Sequence, residues 1–223
     1  VGPGVEVLVP GYTFVASISA VLVVGGTPVL AEIDESLTMD PADLEGRITA
    51  RTRVIMPVHM LGNPSAMDAI NAVARRHGLA VLEDSAQALG ATYHGKSVGT
   101  FGDIAAFSLN HNKTISCGDG GLVATDDTAL YERAFAYHDQ GHKPLRMGLE
   151  IGRRSILGVN LRMTELTGAF ALGQLEKLDR VLAMLKARKA RLKGALADAR
   201  KAARRARQRP FQDPDTGRRR RRP

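Results

Sequence analysis

The chain has 223 residues, 44% of them hydrophobic, and a formal net charge of +8, which makes a globular protein with one sizeable core the starting class. Lys and Arg number 14 against 20 Asp and Glu over residues 1–179, and 17 against 3 over residues 180–223; the basicity belongs to the C-terminal segment, and nucleic acid is not an expected partner of the body. The longest apolar run, around residues 18–24, falls far short of the roughly 20 residues that cross a bilayer, and Cys117, the single cysteine, has no internal disulfide partner, so a soluble cytoplasmic protein is the expectation.

In chain order, short β-branched runs alternate with amphipathic stretches: residues 6–10, 13–24, 27–34, 41–48, 53–58, 64–77 and 80–84. That alternation is the rhythm of a parallel sheet covered by helices. Asp40-Pro41 and Asn63-Pro64 each put a capping side chain before a proline suited to a first helical position, and Gly78 sits where a helix end needs positive φ. Residues 104–109 and 121–125 read as further strands, followed by a helix over 127–139. From Glu165 to about Leu196, leucines at near-helical spacing predict one long helix. After Ala199 no Leu, Ile or Val occurs and Arg218 to Arg222 is unbroken arginine, so residues 200–223 are expected to be a disordered basic tail.

Two stretches carry chemistry. Open parallel sheets bind ligands beyond the carboxyl ends of their strands, and Val81-Leu82-Glu83-Asp84-Ser85-Ala86-Gln87 places an acid there. Asp84 reads either as a capping carboxylate or as a fixed negative charge for a cationic ring nitrogen. The second stretch runs from Ser108 to Gly121, where Lys113 follows a strand end and precedes three glycines; such a loop lets backbone approach a ligand and an amine reach it. A loop lysine alone is an ordinary solvated charge. An acid and an amine on neighbouring strand ends, however, are the parts that pyridoxal phosphate (PLP) chemistry requires.

Five pieces in order extend the case: Pro3 to Pro10, the Thr13-Phe14 that follows, Glu83 to Gln87, the Lys113 loop ending in Gly120-Gly121, and Asn160-Leu161-Arg162-Met163-Thr164-Glu165. Together, over about residues 2–196, they resemble the DegT/DnrJ/StrS family of PLP-dependent sugar aminotransferases. The resemblance implies an α/β fold of the PLP-transferase, aspartate-aminotransferase-like kind: a large domain with a mostly parallel central sheet flanked by helices, followed by a long helix. It implies that Lys113 holds PLP as a Schiff base and moves a proton, that Asp84 pairs with the pyridine nitrogen, that Gln87 bonds the phenolic oxygen and that Ser108 bonds the phosphate. Phe14 is expected to stack on the ring, with Tyr12 as second choice and an ordinary core aromatic as the rival reading. Asn160 is expected to reach the phosphate of a neighbouring subunit in a homodimer, its rival reading being a turn residue.

The substrates implied are an amino-acid donor, glutamate or glutamine, and a keto sugar, most often nucleotide-linked. Members of the family carry a phosphate-binding segment ahead of the position of residue 1 and a small domain after the long helix. The expected organisation is therefore a large domain over 1–164 lacking its N-terminal segment, a long helix over 165–199 leading toward an absent small domain, and the tail over 200–223. A truncated homologue that keeps the fold without turnover is the competing function, and polyanion binding by the tail a third.

Other polar residues read as structural. His59 ends a strand and is expected to be a hydrogen-bonded structural histidine. His94, His111, His138 and His142 are scattered without metal-ligand spacing, and no metal site is expected. Cys117 reads as a small packing residue, and Glu165 as a helix-start acid.

Overall fold

The structure, a computed structural model, describes residues 1–144 and 156–208. The described residues divide into two compact units after Leu178. In the first unit, strands β1 (Glu6–Pro10), β2 (Thr27–Ala31), β3 (Thr52–Ile55), β4 (Ala80–Asp84), β7 (Ile104–Ser108) and β8 (Gly121–Ala124) form one sheet in the order β2-β1-β3-β4-β7-β8. All neighbours are parallel except β7 and β8. Strands β5 (Thr92–Tyr93) and β6 (Lys96–Ser97) form a separate hairpin.

Helix α1 (Val15–Val23) joins β1 to β2, while α2 (Pro41–Arg47) and α3 (Met67–His77) follow β2 and β3. Strand β1 shows how the sheet is covered on both sides. Val7 and Val9 pack with Val21 of α1 and with Met56, whereas Leu8 packs with Leu44 of α2 and with Met67 and Ile70 of α3. All five residues of β1 are buried in consequence, which is why its sequence is continuously apolar after Glu6 rather than alternating. The chain leaves β1 in one direction for β2 and then returns past it to β3. Right-handed crossovers in opposite directions put their helices on opposite faces, and the strand order reverses between β1 and β3, the kind of point at whose carboxyl ends open sheets bind ligands.

Most of the local punctuation acts as expected; Asn63-Pro64 does not, because α3 starts at Met67 with Ala66 at its N-cap, and Asn63 Nδ2 donates instead to Ser36 O at 2.9 Å. Asp40 caps α2 by accepting from Ala42 N, with Pro41 in the first turn, and Gly78 closes α3 at φ 61°. Helix α4 (Thr128–His138) starts at Asp127, whose Oδ1 accepts from Ala129 N at 2.7 Å and Leu130 N at 2.9 Å. Asp127→Ala is expected to lower stability by about 1 kcal/mol, measured as a shift in denaturant midpoint with an unchanged slope.

The single helix expected from Glu165 onward is two, α5 (Glu165–Leu175) and α6 (Leu178–Gln208). Between them, Glu176 N bonds Leu172 O and Lys177 N bonds Gln174 O, a tightened last turn. The order expected to end near Ala199 also continues, because α6 runs to Gln208. Residues 200–208 are Arg, Lys, Ala and Gln, all strong helix formers, so propensity extends the helix where apolar patterning has stopped. The Arg218 to Arg222 run lies outside the described residues. Among the described residues no helix is long and apolar enough to cross a membrane.

Candidate active site

The pleat of β4 and β7 decides which side chains meet. Val81 belongs to the core on the α2/α3 side and Leu82 to the core on the α1 side, so Glu83 returns to the first side and Asp84 to the second. In the parallel pair, Asp84 lies opposite Ala106 and Glu83 opposite Ala105. Ser108, two residues beyond Ala106, therefore shares the α1 face with Asp84. Ser108 pairs in turn with Gly121, the first residue of β8, and the intervening loop carries Lys113 at the same edge of the sheet.

That loop is tied at several points. Lys113 N donates to Asn110 O at 3.0 Å, Cys117 N to Leu109 O at 3.0 Å and Leu109 N to Gly120 O at 2.8 Å, while Asn110 Nδ2 donates to Asp119 Oδ1 at 2.6 Å. Lys113 is half-buried. A Cβ on Gly120 would lie 2.7 Å from Cys117 Sγ and 3.0 Å from Met163 Cε, so a larger residue there would displace those two side chains, and half-buried Cys117 packs against Gly120. The same contact brings the segment containing Asn160 against the Lys113 loop.

Asp84 is held at both oxygens: Oδ2 accepts from Ser17 Oγ at 2.6 Å and Oδ1 from Ala86 N at 3.1 Å. Gln87 Oε1 accepts from Leu61 N at 3.0 Å, which leaves its NH2 group as the donor end. Leu61 adopts φ 54°, the left-handed region that costs a branched residue energy, and that conformation supplies the amide to Gln87. Ser108 Oγ accepts from Asn110 N at 3.3 Å, so its own proton remains to be donated elsewhere. Phe14 caps α1 just past β1 and is 64% exposed, with Tyr12 at 39%; the core-aromatic reading of Phe14 does not hold. Asn160 is exposed, bridges Asp139 through its backbone, and accepts from Arg162 N at 3.4 Å and Nε at 3.1 Å, so its side chain folds back on Arg162. No contact within the described residues decides its expected role at a second subunit.

The model of the DegT/DnrJ/EryC1/StrS aminotransferase family matches residues 1–212. The chain belongs to that family. It is 46% identical over 184 residues to the GDP-perosamine synthase of Caulobacter vibrioides, across 82% of this chain and 48% of that protein. The aminotransferase structure from Psychrobacter cryohalolentis superposes with a TM-score of 0.73 at 40% identity, over 79% of this chain and 47% of that one. NtdA from Bacillus subtilis with the bound cofactor PMP gives a TM-score of 0.73 at 32% identity, over 80% and 40% respectively. The chain spans about half the length of the curated relatives it matches.

The donor set at this edge suits PLP. A carboxylate is present for a protonated ring nitrogen, an amine for an aldehyde, an amide NH2 for a phenolic oxygen and a hydroxyl for a phosphate. Among the described residues no cluster of three His, Cys, Asp or Glu is placed to hold a metal ion.

Two residues that matter to this edge are not legible as such in the sequence. Ser17, buried on α1, is the partner of Asp84. Glu83, on the opposite face, is fully buried and accepts from His59 Nε2 at 2.9 Å. Ser65 N donates to His59 Nδ1 at 3.0 Å, so the ring proton sits on Nε2 and the imidazole is neutral. This is the hydrogen-bonded structural histidine expected at position 59. Burial pushes the Glu83 carboxyl up, but the hydrogen bonds from His59 and from the Gly102, Gly99 and Phe101 amides outweigh it and hold Glu83 below its ordinary value of 4.5.

Proposed function

We propose that this chain forms the cofactor-binding part of a PLP-dependent sugar aminotransferase that moves an amino group from glutamate or glutamine to a keto sugar carried on a nucleotide. The observation that carries the reading is the placement of Asp84 and Ser108 on one face of adjacent parallel strands, with Lys113 on the loop that leaves the second. The relatives' names support the substrate class, since one makes GDP-perosamine and another is a dTDP-amino-sugar transaminase. Residues 1–164 are the cofactor-binding domain in this reading. It places the protein in the cytoplasm, as a homodimer in which Asn160 extends to the partner's phosphate site.

When bound, PLP supplies the electron sink that amino transfer needs. Lys113 Nζ would hold the cofactor through its aldehyde carbon and, when free, would be the base that takes a proton from the donor's Cα. Asp84 would face the ring nitrogen. Gln87 and Ser108 would donate to the phenolic oxygen and the phosphate, and Phe14 would cover one ring face, which together would fix the orientation of the reacting carbon.

Mixing the purified chain with PLP and reducing with borohydride converts a lysine-linked cofactor into a stable amine. Peptide mapping is expected to find the added mass on Lys113. Label spread over surface lysines, with none concentrated at position 113 in folded protein, would defeat the reading.

A further inference from the structure

The carboxylate of Asp84 is the end of a chain of hydroxyls. Ser17 Oγ donates to Asp84 Oδ2 at 2.6 Å, a separation within the about 2.5–2.7 Å of a hydroxyl bonded to an ionised oxygen. Ser17 Oγ also lies 2.7 Å from Thr13 Oγ1. A hydroxyl has one proton, and that of Ser17 is committed to the carboxylate, so Thr13 donates in the second bond. The result is a one-way sequence from Thr13 to Ser17 to Asp84, in which each donor is strengthened by the bond behind it.

Its position follows from the fold. Thr13 lies in the turn that leaves β1, Ser17 one helical turn later on α1, and Asp84 at the end of β4 on the face that α1 covers. Ser17 is one of the two buried residues of α1, beside Val21; a serine on an apolar helix face needs a partner there, and the carboxylate provides it. Asp84 Oδ1 is meanwhile held by Ala86 N. A carboxylate has about four acceptor positions, so the protein occupies one on each oxygen and leaves one on each for a ligand.

We propose that Ser17 is a positioning residue, which with Thr13 fixes the Asp84 carboxyl about its Cβ–Cγ bond so that its remaining lone pairs meet the ring nitrogen of PLP. The proposal rests on the cofactor reading above. With alanine at position 17 the carboxyl is anchored through the Ala86 amide and turns away from that aim.

The test has two arms, both on the whole chain. In the first, without cofactor, aspartate is labelled with 13C at the carboxyl carbon and the Asp84 signal is identified by its loss in Asp84→Asn. Ser17→Ala and Thr13→Val are each expected to move that signal by more than its linewidth at neutral pH. The double variant should match Ser17→Ala alone because Thr13 acts through Ser17, and Ser17→Thr, which restores a hydroxyl, should recover most of the displacement. In the second arm PLP is added, and Ser17→Ala is expected to displace the pH at which the visible absorbance band changes. An unmoved Asp84 signal in Ser17→Ala overturns the proposal, as do strictly additive effects of the two substitutions or an undisplaced band in PLP-loaded protein. A parent chain that never takes up PLP counts against the cofactor reading alone, since the carboxyl signal is read in its absence.

Discussion

Lys113→Ala is expected to remove the visible absorbance that PLP gives when joined to a lysine, and to lower the rate of amino transfer by at least the roughly 10²–10⁴-fold that a positioned acid–base group supplies. In the proposed reading two functions would be lost with one nitrogen, the covalent hold on the cofactor and the proton carrier, so the effect should exceed that of any substitution at the groups proposed only to bind the cofactor. Lys113→Arg separates chemistry from charge. A guanidinium keeps the positive charge and much of the reach but stays protonated and cannot act as the nucleophile. If the amine is the reacting group, the arginine variant is as inactive as the alanine one. If position 113 only offers a positive charge to an anion, Lys113→Arg retains most of the band and the rate, and the assignment of Lys113 fails. The loop is tied by backbone hydrogen bonds and by the side chains of Asn110, Ser116, Cys117 and Asp119, so neither substitution removes those bonds.

The parallel sheet was legible because its strands are short apolar runs parted by proline, glycine and capping aspartates, each of which constrains the backbone locally. Asp40, Gly78 and Asp127 act at the positions those residue types imply. Tertiary and weak local features were not legible. Strands β5 and β6 have two residues each and turn through His94 at φ 48° and Gly95 at φ 79°, too short a pattern to show periodicity. The interruption between α5 and α6 contains neither glycine nor proline, so no residue marks it. At the site, the residues on strand ends could be named from the sequence, but not what lies behind them. Ser17 is an ordinary small residue within an apolar helix, and becomes specific only when the sheet order brings α1 over β4. Glu83 and Asp84 are adjacent carboxylates whose opposite fates depend on the strand pleat, and the sequence alone does not say which faces the ligand side.

Glu83→Ala is expected to destabilise the fold by about 3–5 kcal/mol, the cost of removing one partner from a buried charged network. Oε1 accepts from Phe101 N and Gly102 N, each at 2.6 Å, and Oε2 from Gly99 N at 2.7 Å and His59 Nε2 at 2.9 Å. Truncation leaves those donors facing an apolar space without an acceptor, and each orphaned group costs roughly 1–3 kcal/mol. For a chain of this size a loss of that order lowers Tm by roughly 6–20 °C. Glu83→Gln preserves the shape but turns an NH2 group toward two N–H donors, so it should recover only a minor part of the loss; full recovery would show that packing rather than acceptance is the residue's role. Acid gives an independent check. Because the folded carboxyl is held below its ordinary value of 4.5, its contribution is fully present above that value and is lost as pH falls through the folded one. The denaturant midpoint of the parent should therefore fall more steeply below pH 4.5 than that of Glu83→Ala, and parallel curves would remove Glu83 from the account. The site has a stake in the outcome, since β4 carries Glu83 and Asp84 on successive residues: His59 N bonds Asp84 O and Asp84 N bonds Pro57 O, so the buried pair on one face fixes the backbone that aims the carboxylate on the other.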